Sequence, residues 1–125
     1  MKCICGCKAK GVHEHHVVYE QIVERRYREL LREGAEMRWP SEAAAKNDPR
    51  NLVWIAFGCH GGHHNVAGHN SQSKKLRLDR LPDCCFEFAA ELLGPGRAYE
   101  YLKRRYAGPD PRLDRLLDAW AAART

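Results

Sequence analysis

With 125 residues, the chain is long enough for one domain with a modest core and too short for two. A formal net charge of +5 favours an anionic partner, and no apolar run approaches the length of a membrane span. The start of the chain has no apolar signal region, so we expect a cytoplasmic protein. In that compartment we expect its six cysteines to be metal ligands or buried thiols rather than disulfides.

The first third of the chain predicts a strand followed by an amphipathic helix. Residues 12–18 form an apolar-edged run typical of a strand. Over residues 19–34 apolar side chains recur every three or four positions, which predicts a helix ended by Gly34. We interpret its polar face as a solvated surface with local ion pairs such as Glu24 to Arg28.

The middle of the chain predicts a short helix and a second strand. Ser41 is a candidate N-cap for a helix ending at Lys46, and Asn47-Asp48-Pro49 has the composition of a turn. Residues 52–57 are apolar and predict a buried strand. Three glycines between residues 59 and 69 mean that any helix there depends on packing or on a metal.

The last third predicts three helices, over residues 83–93, 96–106 and 110–124. A glycine directly follows the first of these helices, and another lies two residues beyond the second. Cys84 and Cys85 stand beside two phenylalanines in the first of these helices, so we expect them to be core residues rather than metal ligands.

Histidines supply the most informative pattern. Six of the seven fall in two clusters, His13, His15 and His16, and His60, His63 and His64. Imidazole is the commonest protein metal ligand and the side chain that most readily exchanges a proton near neutral pH. Two such clusters together provide a metal site and a general base, the groups needed for metal-assisted hydrolysis.

The spacing within each cluster divides these tasks. His60 and His64 are four residues apart, so on a helix both reach one ion, while an irregular helix would bring in His63 instead. In a strand His15 and His16 point to opposite faces. One of this pair can then face a metal while the other faces a substrate that the metal also contacts.

Three segments together resemble a known family. They are His15-His16-Val17-Val18, Asn51-Leu52-Val53-Trp54-Ile55, and Cys59-His60 with His63 and His64 close behind. In this combination the chain resembles the HNH endonucleases of the ββα-metal superfamily, over roughly residues 3–65. After Lys74 it is similar, less specifically, to the tail of small stand-alone phage HNH proteins.

The resemblance implies an α+β fold. Its ββα-metal core is a two-stranded antiparallel hairpin with a metal-bearing helix, and additional α-helices surround it. The core would occupy residues 1–70, with residues 19–34 as an inserted helix. Residues 71–125 would form a helical extension packed on the same single domain.

The resemblance also implies the catalytic roles. His16 corresponds to the general base that activates water, and Asn51 to the residue that ties down the loop and orients that base. His15 and His60 correspond to the first and second ligands of one divalent ion, Mg, Mn, Ni or Zn. His64 takes the third ligand position, with His63 as its substitute. The ion would contact the scissile phosphate and stabilise the leaving 3′-oxygen.

The N-terminal cysteines suggest a second metal. Many members of the family carry a structural zinc held by two C-x-x-C pairs, and this chain departs from that pattern. The candidate ligands that remain are Cys3, Cys5, Cys7 and Cys59. Because zinc takes four nitrogen or sulfur ligands, a structural site from this set is one interpretation. A set of reduced thiols is the other.

The predicted function is hydrolysis of DNA phosphodiester bonds with low sequence specificity. Candidate phosphate contacts are Lys74, Lys75, Arg77, Arg80, Lys103, Arg104 and Arg105. The alternative interpretation of these residues is that they are solvated charges at helix ends. The alternatives are a non-catalytic zinc-binding DNA-binding module and an accessory of phage DNA packaging. In the latter case the terminase is the expected partner.

Overall fold

The computed structural model describes residue 4 and residues 13–55 and 76–123. Over these residues the protein is a mixed α+β structure, mostly helical, with a two-stranded antiparallel sheet. The strands are β1 (His13–His16) and β2 (Leu52–Ile55), and the helices are α1 (Glu20–Glu33), α2 (Glu42–Lys46), α3 (Asp83–Leu93), α4 (Pro95–Arg105) and α5 (Pro111–Ala123). Two short 3-10 helices, Pro49–Asn51 and Leu78–Arg80, precede β2 and α3. The predicted metal-bearing helix lies outside the described residues.

Strands β1 and β2 pair in a register that separates the two adjacent histidines. His15 lies opposite Val53 and His16 lies opposite Leu52. Because side chains alternate along a strand, His15 and Val53 share the face that is buried, with 3% and 4% exposure. His16 and Leu52 are half-buried on the other face. The predicted placement of the two histidines on opposite faces is therefore confirmed.

Helix α1 connects the two strands together with α2. It ends at Gly34, whose φ of 71° lies in the left-handed region and whose N–H reaches the carbonyls of the last turn. The predicted local pair between Glu24 and Arg28 is wrong. Arg28 instead contacts Glu42 at 2.8 Å, and Glu24 contacts Lys46 at 3.0 Å. Because α2 packs across α1 with charges of opposite sign, tertiary partners replace the local one.

The turn before β2 is organised by the buried carboxylate of Asp48. It accepts hydrogen bonds from the indole N–H of Trp39 at 2.9 Å and from the backbone and guanidinium of Arg50. Burial alone would raise the pKa of Asp48, but the Arg50 and Trp39 hydrogen bonds prevail and lower it to about 2. The same Arg50 guanidinium lies over the Phe88 ring of α3, 5.5 Å from its centroid. Asp48 thus fixes the entry to β2 and joins it to the core.

Helices α3, α4 and α5 provide about half of the buried apolar residues, and α3 contributes more of them than any other described element. The buried side chains of α3 are Cys85, Phe86, Phe88, Ala89, Leu92 and Leu93. Cys84 is half-buried beside them, so the expected core role of the two cysteines is confirmed for Cys85 and partly for Cys84. Leu102 of α4 and Leu113 and Leu116 of α5 complete this packed layer. Among the described residues, no helix is both long enough and apolar enough to cross a membrane.

Candidate active site

The candidate site lies where β1 ends. The chain leaves the strand at His16, passes through the fully buried Val17 and Val18, and enters α1 after Tyr19. Valine side chains anchor this corner in the core, so the backbone of the corner is buried with them. Its peptide groups therefore need hydrogen-bond partners inside the protein.

Asn51 supplies three of those partners. Its side-chain oxygen accepts the N–H of Val18 at 2.7 Å, and its side-chain amide donates to the carbonyl of the same residue at 2.9 Å. The Val17 N–H donates to the Asn51 backbone carbonyl at 2.9 Å. An asparagine amide has the donor and acceptor of a peptide unit, so it continues the β1–β2 ladder past the end of the strand. Asn51 is fully buried, and this pairing satisfies it.

Two tyrosines from the far end of the chain hold the same corner. The hydroxyls of Tyr106 and Tyr101 both donate to the Val17 carbonyl, at 2.6 Å and 3.1 Å. Tyr101 also accepts the backbone N–H of Tyr19 at 3.0 Å. Desolvation by burial raises the pKa of Tyr106 well above its ordinary value, so this phenol keeps its proton. The C-terminal end of α4 therefore positions the segment that carries the two histidines.

His15 lies against Tyr106 and Tyr19. Its Nε2 is 3.1 Å from the Tyr106 hydroxyl, and its ring meets the rings of Tyr19 and Tyr106 edge-on, with centroids 6.0 Å and 6.4 Å away. The imidazole thus has a defined orientation within a buried aromatic setting.

His16 has a different environment on the opposite face. Its Nδ1 lies 3.5 Å from a carboxylate oxygen of Glu20, in the first turn of α1, and its side chain is 20% exposed. Its Nε2 is buried and has no hydrogen-bond partner among residues 4, 13–55 and 76–123. One ring nitrogen of His16 therefore faces a carboxylate, and the other makes no hydrogen bond to the described residues.

The structure brings together two basic segments that are far apart in sequence. Arg77 and Ala107 form a parallel bridge, in which Leu78 N–H donates to the Ala107 carbonyl at 2.8 Å and Ala107 N–H donates to the Leu76 carbonyl at 2.9 Å. This bridge places the Leu78–Arg80 turn beside the end of α4. The side chains of Arg77, Arg80, Lys103 and Arg104 are exposed.

Arg105 differs from the other basic residues of this region. It is half-buried, and its guanidinium lies 4.8 Å from the Tyr19 ring centroid and 5.9 Å from that of Tyr101. Such stacking is favourable for a delocalised cation. Arg105 therefore covers Tyr19 and Tyr101, which flank residues 15–18, the histidine corner.

Several predicted site residues lie outside the described part of the chain. These are the metal ligands His60, His63 and His64, the zinc candidates Cys3, Cys5, Cys7 and Cys59, and the basic residues Lys74 and Lys75. Within residues 4, 13–55 and 76–123, no group of three or more His, Cys, Asp or Glu side chains is arranged to hold a metal ion. Of the predicted ligands, His15 is the one whose surroundings are described.

Sequence reasoning missed the roles of Tyr101, Tyr106 and Glu20 at this site. Glu20 stands four residues after His16, a spacing that becomes informative once α1 is known to begin there. Tyr106 is 89 residues from Val17, and its only sequence signal was its position next to a basic cluster. No family model, no curated protein and no solved structure matches the chain.

Proposed function

We propose that this protein is a metal-dependent endonuclease of the HNH type that hydrolyses DNA phosphodiester bonds with low sequence specificity. The observation that carries the proposal is the corner after β1. The two adjacent histidines at the end of β1 face opposite sides, and Asn51, directly before the paired strand, ties the backbone that follows them. The finer ββα-metal architecture, a two-stranded hairpin with a metal-bearing helix, is part of the proposal.

His16 is the general base in this proposal. A carboxylate near Nδ1 favours the tautomer with its proton on that atom, which leaves the lone pair on Nε2 to accept a proton from water. Once the imidazole is protonated, the Glu20 contact becomes an ion pair. Asn51 keeps the backbone next to His16 in place. The histidine thus has both a proton-accepting atom and a defined position.

The metal site would use His15, His60 and His64, with His63 as the substitute for the last. A set of three imidazoles suits Mn, Ni or Zn, although Mg is common in phosphodiester chemistry. When bound, the ion supplies positive charge to the scissile phosphate and to the leaving 3′-oxygen. The expected products carry a 5′-phosphate and a 3′-hydroxyl. A structural zinc held by Cys59 and at least two of Cys3, Cys5 and Cys7 completes the proposed metal content.

DNA would be held through its phosphates by the basic surface around the Arg77–Ala107 bridge. Its described members are Arg77, Arg80, Lys103 and Arg104, with Lys74 and Lys75 as further candidates from sequence and Arg105 above the tyrosines. Phosphate contacts give affinity without reading sequence, which agrees with low specificity. That two separate basic segments meet beside the histidine corner supports this assignment.

The test is cleavage of supercoiled plasmid across a panel of divalent metals, with a chelator control, followed by single-turnover kinetics on a short duplex. Removing a general base lowers the rate by about 10²- to 10⁴-fold. We therefore expect His16→Ala to cleave at least about a hundredfold more slowly while binding metal and DNA almost normally. His60→Ala should lose metal and cleavage together.

His69→Ala is the matched control, because His69 is the one histidine outside both clusters. It should cleave at the wild-type rate. A wild-type rate in His16→Ala would contradict the assignment of the base and make His13 the candidate. DNA binding without cleavage at any metal would instead favour the alternative, a non-catalytic DNA-binding or phage DNA-packaging accessory module.

A further inference from the structure

Tyr106 makes two polar contacts through one hydroxyl group. Its oxygen lies 2.6 Å from the Val17 carbonyl oxygen and 3.1 Å from Nε2 of His15. A phenol has one proton, and a carbonyl oxygen only accepts. Two oxygens 2.6 Å apart repel unless a proton lies between them, so the Tyr106 proton is donated to Val17.

The protonation state of His15 follows from this assignment. Because the Tyr106 proton is used on Val17, its hydroxyl meets His15 with a lone pair, and Nε2 must be the donor. A neutral His15 is then the tautomer that carries its proton on Nε2. Its Nδ1 is the ring atom with the lone pair.

We propose that Tyr106 is a positioning residue for the metal centre: it accepts the Nε2 proton of His15 and thereby directs Nδ1 to the divalent ion. The inference rests on the proposed function, in which His15 is a ligand. Metal-ligating histidines commonly donate the other ring N–H to a neighbouring acceptor, which fixes ring orientation and makes the ligand more basic. Here the acceptor comes from the residue directly after α4.

Tyr101 provides a matched control within the same structure. Both tyrosines donate to the Val17 carbonyl, but the described contact to His15 is made by Tyr106. Tyr101 also accepts the Tyr19 N–H, so its loss disturbs the corner at least as much. An effect on metal binding that is confined to Tyr106 therefore cannot come from general loosening of this corner.

The experiment measures zinc affinity of the full chain by chelator competition, at the site that His60→Ala abolishes. Tyr106→Phe keeps the buried ring and removes only the hydroxyl. Loss of such an acceptor typically weakens metal binding about 10- to 100-fold, and we expect that range for Tyr106→Phe. Tyr101→Phe should remain within about threefold of wild type, since it leaves the His15 contact in place.

A spectroscopic readout tests the geometry without any activity. In protein labelled with ¹⁵N-histidine and loaded with ¹¹³Cd, the metal coupling should appear on Nδ1 of His15. In the metal-free wild type, the Nε2 proton should be protected from exchange, and Tyr106→Phe should remove that protection. Coupling on Nε2, unchanged affinity in Tyr106→Phe, or equal weakening in both tyrosine variants would overturn the inference and leave the proposed function standing. A wild-type protein without a site sensitive to His60→Ala would overturn both.

Discussion

Asn51 shows how one polar residue determines the geometry of a buried corner. Its amide takes the place of a peptide unit opposite Val18, so a donor and an acceptor that the strands leave unpaired are both satisfied. Only an amide side chain of this length offers both groups at once. The same residue thus serves stability and the placement of His16.

We predict that Asn51→Ala lowers the free energy of unfolding by about 2–4 kcal/mol, because each buried group that loses its partner costs roughly 1–3 kcal/mol. Urea unfolding measures this loss of stability, provided that the variant and the wild type have the same m-value. Asn47→Ala, at the exposed end of α2, is the control and should stay within about 0.5 kcal/mol of wild type. Equal midpoints for the two variants would show that the Val18 pairing contributes little.

Asp48 gives a pH-dependent prediction. Its pKa falls from an ordinary value of 3.8 to about 2 in the folded protein, so folding favours its ionised form. The resulting stability, about 2 kcal/mol, is fully present above pH 4 and is lost as the pH falls through about 2. We expect Asp48→Asn to be less stable than wild type at pH 7 by about this amount.

The difference should narrow when urea unfolding is repeated between about pH 5 and pH 3, because Asp48 of the unfolded wild-type chain then takes up a proton while folded Asp48 stays ionised. Glu36→Gln, a neutralisation at an exposed position, is the control and should show no such convergence. A gap that stays constant over this pH range would contradict the assigned role of Asp48.

At the scale of elements, Arg112 joins the start of α5 to the turn before α3. Its guanidinium donates to the carbonyls of Leu81 at 2.6 Å and Leu78 at 2.9 Å, and also pairs with Asp110. It lies 4.1 Å from the centroid of the Phe86 ring, so the planar group is both stacked and hydrogen-bonded. One side chain therefore sets the distance between two elements.

We predict that Arg112→Lys destabilises the protein by about 1–3 kcal/mol, although the charge is unchanged, because an ammonium group cannot reach two carbonyls in a fixed fork. Arg115→Lys, at an exposed position on the same helix, should have almost no effect. Chemical denaturation of both variants makes the comparison. Equal stability of the two would mean that the forked contacts are replaceable.

For the whole molecule, the last helices are needed to hold the histidine corner. The hydroxyls of Tyr101 and Tyr106 donate to the Val17 carbonyl. Leu102, which lies between the two tyrosines in the sequence, is fully buried in the core. The corner and the C-terminal helices therefore share one core among the described residues. We infer that the site does not form without α4 and α5.

A chain that ends after Gly94 should lack a cooperative urea transition and the metal site sensitive to His60→Ala, because it removes the partners of a buried carbonyl and much of the apolar core. A chain that ends at residue 123 keeps the whole described length of α5 and should unfold like wild type. Circular dichroism and metal titration compare them. A cooperative transition in the shorter chain would show that the N-terminal part folds by itself.

The features that the sequence predicted by itself are local ones. The apolar period and Gly34 mark α1, Ser41 caps α2, and the strand period places His15 and His16 on opposite faces. Each depends on interactions within a few residues, which a pattern records directly. The mixed α+β class follows from the same signals.

Tertiary structure alone decided which side chains support the candidate site. Three contacts join residues that are distant in the chain. They are the pairing of α1 charges with α2 in place of the Glu24–Arg28 pair, the bridge of Arg77 to Ala107, and the contact of Tyr106 with His15. No local period encodes such a meeting. Such contacts arise because helices and strands bury their apolar faces against one another and bring some polar side chains into the shared interior. Those buried polar groups then need hydrogen-bond partners there.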